Sequence, residues 1–124
     1  MIGYVTLGTN DFDKAAIFYD ALLAELGAGR FMDSERFIAW ATAPGTPAVA
    51  IIHPADGKPS TCGNGTMIAL AAGSKEKVDE IHAKALELGG TDEGAPGLRG
   101  DTFYAGYFRD LDGNKLNAFC MTDG

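Results

Sequence analysis

The feature that most constrains this chain is that it repeats itself. The stretch YVTLGTNDFDKAAIFYDALLAELG from Tyr4 lies over MIALAAGSKEKVDEIHAKALELG from Met67, so that Leu7 falls on Leu70, Ala15 on Val78, Phe18 on Ile81 and Leu22 on Ala85, each 63 positions on. Self-similarity of this kind means one supersecondary unit used twice, each copy burying a face that it cannot bury alone. Both copies read as a short strand, a cap and a helix. In the first, Asp11 or Asp13 caps, and Ala15, Phe18, Tyr19, Leu22, Leu23 and Leu26 form an apolar stripe that Gly27 ends. In the second, Ser74 caps, Val78, Ile81, Ala85 and Leu88 form the stripe, and Gly89-Gly90 stops it.

Strand-like segments follow each helix: RFMD, ERFIAWAT and PAVAIIH after the first, GTDEGAPGL, DTFYAGYFRD and NKLNAFCM after the second. The unit is therefore βαβββ, twice, with modules at about 1–60 and 63–124 joined by the Pro- and Gly-rich connector HPADGKPSTCGNG. A length of 124 residues with 46% hydrophobic content suits one α+β domain with a real core. The expected arrangement is an eight-stranded curved mixed sheet with the helices covering its outside.

Charge and cysteine content exclude several functions. The net charge is −7 with no basic block, which disfavours nucleic acid and anionic membrane surfaces as partners. Apolar runs stop well short of the ~20 residues of a membrane span, and Asn10, Asp11 and Asp13 come too early for a secretory signal. Cys62 and Cys120 show no CxxC spacing, so neither a disulfide framework nor a zinc site is expected. A reduced, cytoplasmic protein is the resulting expectation. The clusters GAGR and GNG lack the strand-GxGxxG-helix context of nucleotide binding.

The segment RDLDGNKLNAF offers Asp110, Asp112 and Asn114 as a calcium loop, but Gly113 comes too early and no Glu follows. Asp112-Gly113-Asn114 is a tight turn instead. Beyond it Lys115, Asn117 and Phe119 face one side of a strand and Leu116, Ala118 and Cys120 the other. Tyr107 shares the face of Asn117 across the hairpin.

The paired βαβββ units, the opening YVTLGTNDFDKAAIFYDALL, the connector GNGTMIALAA and the closing GYFRDLDGNKLNAF resemble the glyoxalase, bleomycin-resistance and extradiol-dioxygenase superfamily over essentially the whole chain. The resemblance implies a site on a concave sheet face and chains that pair as homodimers. In metal-dependent members the ligands stand on the first and last strands of each module, which here implies Tyr4, Ile51 (to within one or two residues), Met67 and Asn117. A phenol, a branched alkane, a thioether and a carboxamide are poor ligands for a divalent transition ion. His53, which shares the parity of Ile51, is a single imidazole. No metal and no cofactor are therefore expected. The expectation is a pocket for a small organic ligand, lined by Tyr4, Trp40, His53, Met67, Tyr107 and Asn117. Trp40 and Tyr107 are repeat equivalents at an offset of 67, and, allowing for an indel between the modules, Ile51 and Asn117 at an offset of 66. The resemblance leaves two alternatives open: a glyoxalase-like lyase or isomerase with a reduced or shifted metal site, and a drug-sequestering module whose acidic groove holds a cation. Plainer roles stand beside these. Met67, Trp40 and Tyr107 also suit a core, and Tyr4 and His53 a solvated surface. His82 suits a helix flank, and Arg109 and Asp110 local pairing or capping at the turn. Arg99 suits a flexible Gly-rich loop that closes over a ligand, and Cys62 and Cys120 lack a nearby base.

Overall fold

The computed structural model describes residues 1–122; positions 123 and 124, assigned to the second module, lie outside the described residues. The first module runs β1 (Tyr4–Gly8), α1 (Phe12–Ala24), β2 (Gly29–Asp33), β3 (Phe37–Ala41) and β4 (Ala48–Ile52). The second runs β5 (Ile68–Ala71), α2 (Lys75–Glu87), β6 (Thr91–Arg99), β7 (Phe103–Arg109) and β8 (Lys115–Met121). Helix α1 starts where the Asp11 carboxylate accepts the Lys14 amide at 3.2 Å, and α2 where the Ser74 hydroxyl accepts that of Lys77 at 3.1 Å. Both helices end alike, with six-residue closing bonds from Ala28 N–H to Leu23 O and from Gly90 N–H to Ala85 O.

The α+β class and the doubled βαβββ unit are those expected; the eight strands divide into two sheets of four. The orders are β1-β4-β3-β2 and β5-β8-β7-β6, with β1·β4 and β5·β8 parallel and the other pairs antiparallel. No strand of one sheet approaches a strand of the other among the described residues, whereas α1 and α2 touch. One apolar core runs through this contact. It takes Leu7, Ile38, Trp40 and Ile51 from the first sheet, Leu70, Phe108, Leu116 and Ala118 from the second, and the stripes of both helices. Strand alternation leaves each sheet a helix-free face. On the first sheet that face carries Ala39, Ala48 and Ala50, flanked by Phe37, against whose ring Tyr4 sits edge-on at 5.9 Å.

A buried carboxylate ties the modules together. Asp110 is 5% exposed and accepts the Tyr19 hydroxyl from α1 at 2.5 Å, the Asn114 side-chain amide at 3.0 Å, and the backbone amides of Asp112 and Asn114, both at 2.9 Å. Burial first, and then the Asp110 charge, push the Tyr19 phenol well above its ordinary range. A raised folded-state value means that this stability is present in full below the unfolded phenol's value near pH ~10 and is lost as pH rises through the folded one. Urea unfolding between pH 9 and 12 should therefore show an alkaline loss in the wild type that is reduced in Tyr19→Phe; parallel curves for the two proteins would overturn this.

Candidate functional site

The sequence-derived residues separate onto different faces, and strand register explains why. Leu7 pairs with Ile51 and Leu70 with Ala118, so the repeat offset is 63 for the first strands and 67 for the last. Ala39 opposite Ala50 corresponds to Tyr107 opposite Asn117. The repeat partner of Asn117 is thus Ala50, not Ile51, and that of Trp40 is Phe108, not Tyr107. A slip of one residue moves a side chain to the other face. Ile51 and Trp40 accordingly point to the helices, both within the core. The Trp40 indole N–H donates to Asp20 at 2.8 Å, and Asp20 is held below the usual carboxylate range chiefly by Arg30. His53 also lies on the helix side, its ring stacked on Phe12 at 4.9 Å, and lines a separate cleft of about 440 Å³ with Pro54 and Lys58. Tyr4 stands on the helix-free face of the first sheet, 61% exposed.

Met67, Tyr107 and Asn117 do come together, on the helix-free face of the second sheet. Asn117 pairs with Tyr107 on β7 and with Ala69 on β5. It is 1% exposed, and its Oδ1 has no hydrogen-bond partner among the described residues. Such a buried, unmade bond costs about 1–3 kcal/mol, so few survive without a use. Beside it a cleft of about 620 Å³ opens between the Cys62–Met67 segment and the β7–β8 hairpin, lined also by Tyr107, Arg109 and Lys115. The segment can turn this tightly because position 63 is glycine: a Cβ there would stand 2.3 Å from the Thr66 hydroxyl.

Cations surround the Tyr107 ring. The Arg99 guanidinium carbon and the Lys115 ammonium lie 5.4 and 5.5 Å from its centroid. Arg99 belongs to β6 rather than to a flexible loop, and its guanidinium donates to the carbonyls of Gly97 at 2.9 Å and Ala95 at 2.8 Å. Arg109 pairs with Glu93 at 2.6 Å and donates to Gly113 O at 3.0 Å, the local pairing expected of it. Asp110 caps the turn as expected but also reaches across to α1. His82, read from the sequence as a flank residue, is buried under β7 instead. Its Nε2 lies 3.0 Å from Asp92 Oδ1 and 3.2 Å from the Tyr107 carbonyl. Both are acceptors, so Nε2 carries the proton and steadies Tyr107 from beneath. Asp92 is held below its ordinary range by the Gly94 amide first and by His82 second. Strand alternation puts Lys115 on the Asn117 face, but nothing in the sequence marks it as a site residue.

The donor set does not fit a divalent transition ion. The strand positions facing away from the helices supply Tyr4 or Thr6, Ala50, Met67 or Ala69, and Asn117. Among the described residues no three His, Cys, Asp or Glu side chains converge. Also among these residues, no helix is long and apolar enough to cross a membrane.

A family model described as the glyoxalase/bleomycin resistance protein/dioxygenase superfamily matches residues 1–118. The chain is similar to the crystal structure of a glyoxalase/bleomycin resistance protein from Albidiferax ferrireducens, with 38% identity, a TM-score of 0.89, and coverage of 97% of this chain and 98% of that one. A hypothetical protein from S. aureus is 26% identical over 97% and 92% of the two chains, with a TM-score of 0.75. A lactoylglutathione lyase from Agrobacterium tumefaciens shares the fold at 18% identity, with a TM-score of 0.70 over 97% and 92%. No curated protein matches the chain.

Proposed function

Because the chain belongs to the glyoxalase/bleomycin resistance protein/dioxygenase superfamily, we propose that it binds a small organic ligand on the helix-free face of its second sheet, without a metal. The observation that carries this is the orphaned, buried Oδ1 of Asn117 between Tyr107 and Ala69. A ligand donor reaching that oxygen would recover the hydrogen bond that the free protein forgoes. Aromatic and thioether surface from Tyr107 and Met67 would take the ligand's apolar part.

The working unit in this proposal is a cytoplasmic homodimer, each chain one domain of two modules. Within a chain the two helix-free faces do not meet, because the helices make the contact between modules. Exposed Tyr4, Met67 and Met121 leave apolar surface on both sheets. A second copy that placed its first sheet over the second sheet of its partner would close the site and bring Tyr4 to Asn117. A lyase or isomerase role has less support, since similarity to the lyase extends to the fold alone and, among the described residues, the carboxylate nearest the cleft wall, Glu93, is tied up by Arg109.

Asn117→Leu is the decisive variant. It should raise the stability of the free protein by about 1–2 kcal/mol, because an unpaired amide is replaced by a side chain that needs no partner. Native mass spectrometry after incubation with a metabolite extract should show a ligand on wild-type dimers and none on the variant. Retention of the same ligand by Asn117→Leu, or a wild type that sediments as a monomer at micromolar concentration, would overturn the proposal.

A further inference from the structure

Charge in the second-sheet cleft runs against that of the molecule. The chain carries seventeen Asp and Glu against ten Lys and Arg, yet the cleft is lined by Arg109 and Lys115 and, among the described residues, by no carboxylate. Elsewhere Lys14, Arg30, Lys77 and Lys84 each stand within 4.0 Å of an acid, while Arg36, Lys58 and Lys75 make no ion pair among the described residues but line no cleft with the orphaned Asn117 beside it. Lys115 and Arg99 make no such pair among the described residues and are instead held against the Tyr107 ring. Glu93 offsets the charge of Arg109, so Lys115 is the uncompensated cation at the cleft wall. A cation left without a counter-ion beside apolar surface attracts an anion more strongly than one in open water, because the local dielectric is lower.

We propose that this cleft takes a small organic anion, whose carboxylate or phosphate is held by Lys115, beside the Arg109–Glu93 pair, while its apolar part lies against Tyr107 and Met67. The inference rests on the ligand-binding role proposed above and specifies the charge of the ligand. It runs opposite to the cationic ligand expected of a drug-sequestering module, which would meet like charge here. An anion drawing the Lys115 ammonium towards itself would uncover the Tyr107 ring for an aromatic or aliphatic group. The same movement opens a way to Asn117, two residues along the strand.

Four probes of one shape and different charge test this: benzoate, phenyl phosphate, benzyl alcohol and benzylammonium, each titrated against 15N-labelled protein. Benzoate or phenyl phosphate should shift the amide signals of Gly65, Tyr107 and Lys115, more weakly at high salt. Lys115→Gln should weaken that binding about tenfold, the worth of one charge-assisted hydrogen bond. Lys84→Gln, which makes the same change of net charge on α2, should leave it unchanged. Tighter benzoate identifies a carboxylate ligand and tighter phenyl phosphate a phosphate; either supports the proposal. If benzyl alcohol or benzylammonium shifts the same signals as strongly, or if Lys115→Gln binds the anions as the wild type does, the anion inference fails while the ligand-binding face stands. Silence from all four probes overturns both.

Discussion

Replacing Asp110 by alanine should cost about 3–5 kcal/mol of stability, because it leaves at least two buried neutral donors unpaired at about 1–3 kcal/mol each. The carboxylate accepts four hydrogen bonds, and its loss strands the Tyr19 hydroxyl and the Asn114 backbone amide, while the Asn114 side chain keeps its bond to the Gly8 carbonyl. The Tyr19 hydroxyl belongs to a residue only 1% exposed, and Asn114, 8% exposed, donates through both its backbone and its side chain. For a domain whose total stability is about 5–15 kcal/mol this is a large fraction. Asp110→Asn, which keeps the shape and one acceptor oxygen, should cost clearly less. The bond to Tyr19 crosses from one module to the other, so Tyr19→Phe combined with Asp110→Ala should lose less than the two single variants added together. Urea unfolding checks all three. A loss below about 1 kcal/mol in Asp110→Ala would show that water replaces the carboxylate and that the network does not join the modules.

Gly90→Ala is expected to be nearly as damaging, at about 3 kcal/mol or more. A Cβ at this position would stand 2.7 Å from the Arg109 carbonyl oxygen and 2.8 Å from that of Ala85. Both are backbone atoms, and the second already accepts the Gly90 amide that closes α2, so neither can swing aside as a side chain would. The corresponding residue after α1 is Ala28, whose amide closes that helix on the Leu23 carbonyl with a Cβ already in place. The methyl group would push β7 away from α2 at Arg109, a residue of the cleft wall, so a second sign should be weakened anion binding. Gly29→Ala provides the control: a Cβ there meets nothing within 4 Å, and its thermal midpoint should stay near that of the wild type. Equal midpoints for Gly90→Ala and Gly29→Ala would show that the contact yields.

Helices and turns were legible because their determinants are local. The stripes of Phe18 and Leu22 and of Ile81 and Ala85, with Asp11 and Ser74 ahead of them, place both helices within a residue or two of where they lie. The Asp112-Gly113 turn fixes the register of its hairpin, which is why Tyr107 and Asn117 were rightly put side by side. Trp40 and Ile51 went to the wrong face for one shared reason. Their positions were read through the repeat, and the copies differ in length between the first strand and the last, with β6 nine residues long against five for β2 and shifted in register twice. A bulge has no reliable one-residue signature, yet each one reverses the parity of everything read across it. His82 was missed because its partners, Asp92 and the Tyr107 carbonyl, are brought to it only by helix-on-sheet packing. Whether the two sheets join within a chain was equally illegible, since the pattern of buried faces is the same either way.

The alanine face of the first sheet bears on how such a chain can change over generations. A gene that doubles one βαβββ segment begins with two equivalent surfaces, and here they have parted. The second copy carries Tyr107, Asn117 and Lys115, while the first presents Ala39, Ala48 and Ala50 beneath Phe37. On the proposed binding role, selection on recognition would fall unequally on the halves. In the proposed pairing the first face of one copy lies over the second face of its partner, so substitutions at the exposed Tyr4 and Thr6 would vary the wall opposite Asn117 while leaving the residues that hold Asn117 in place.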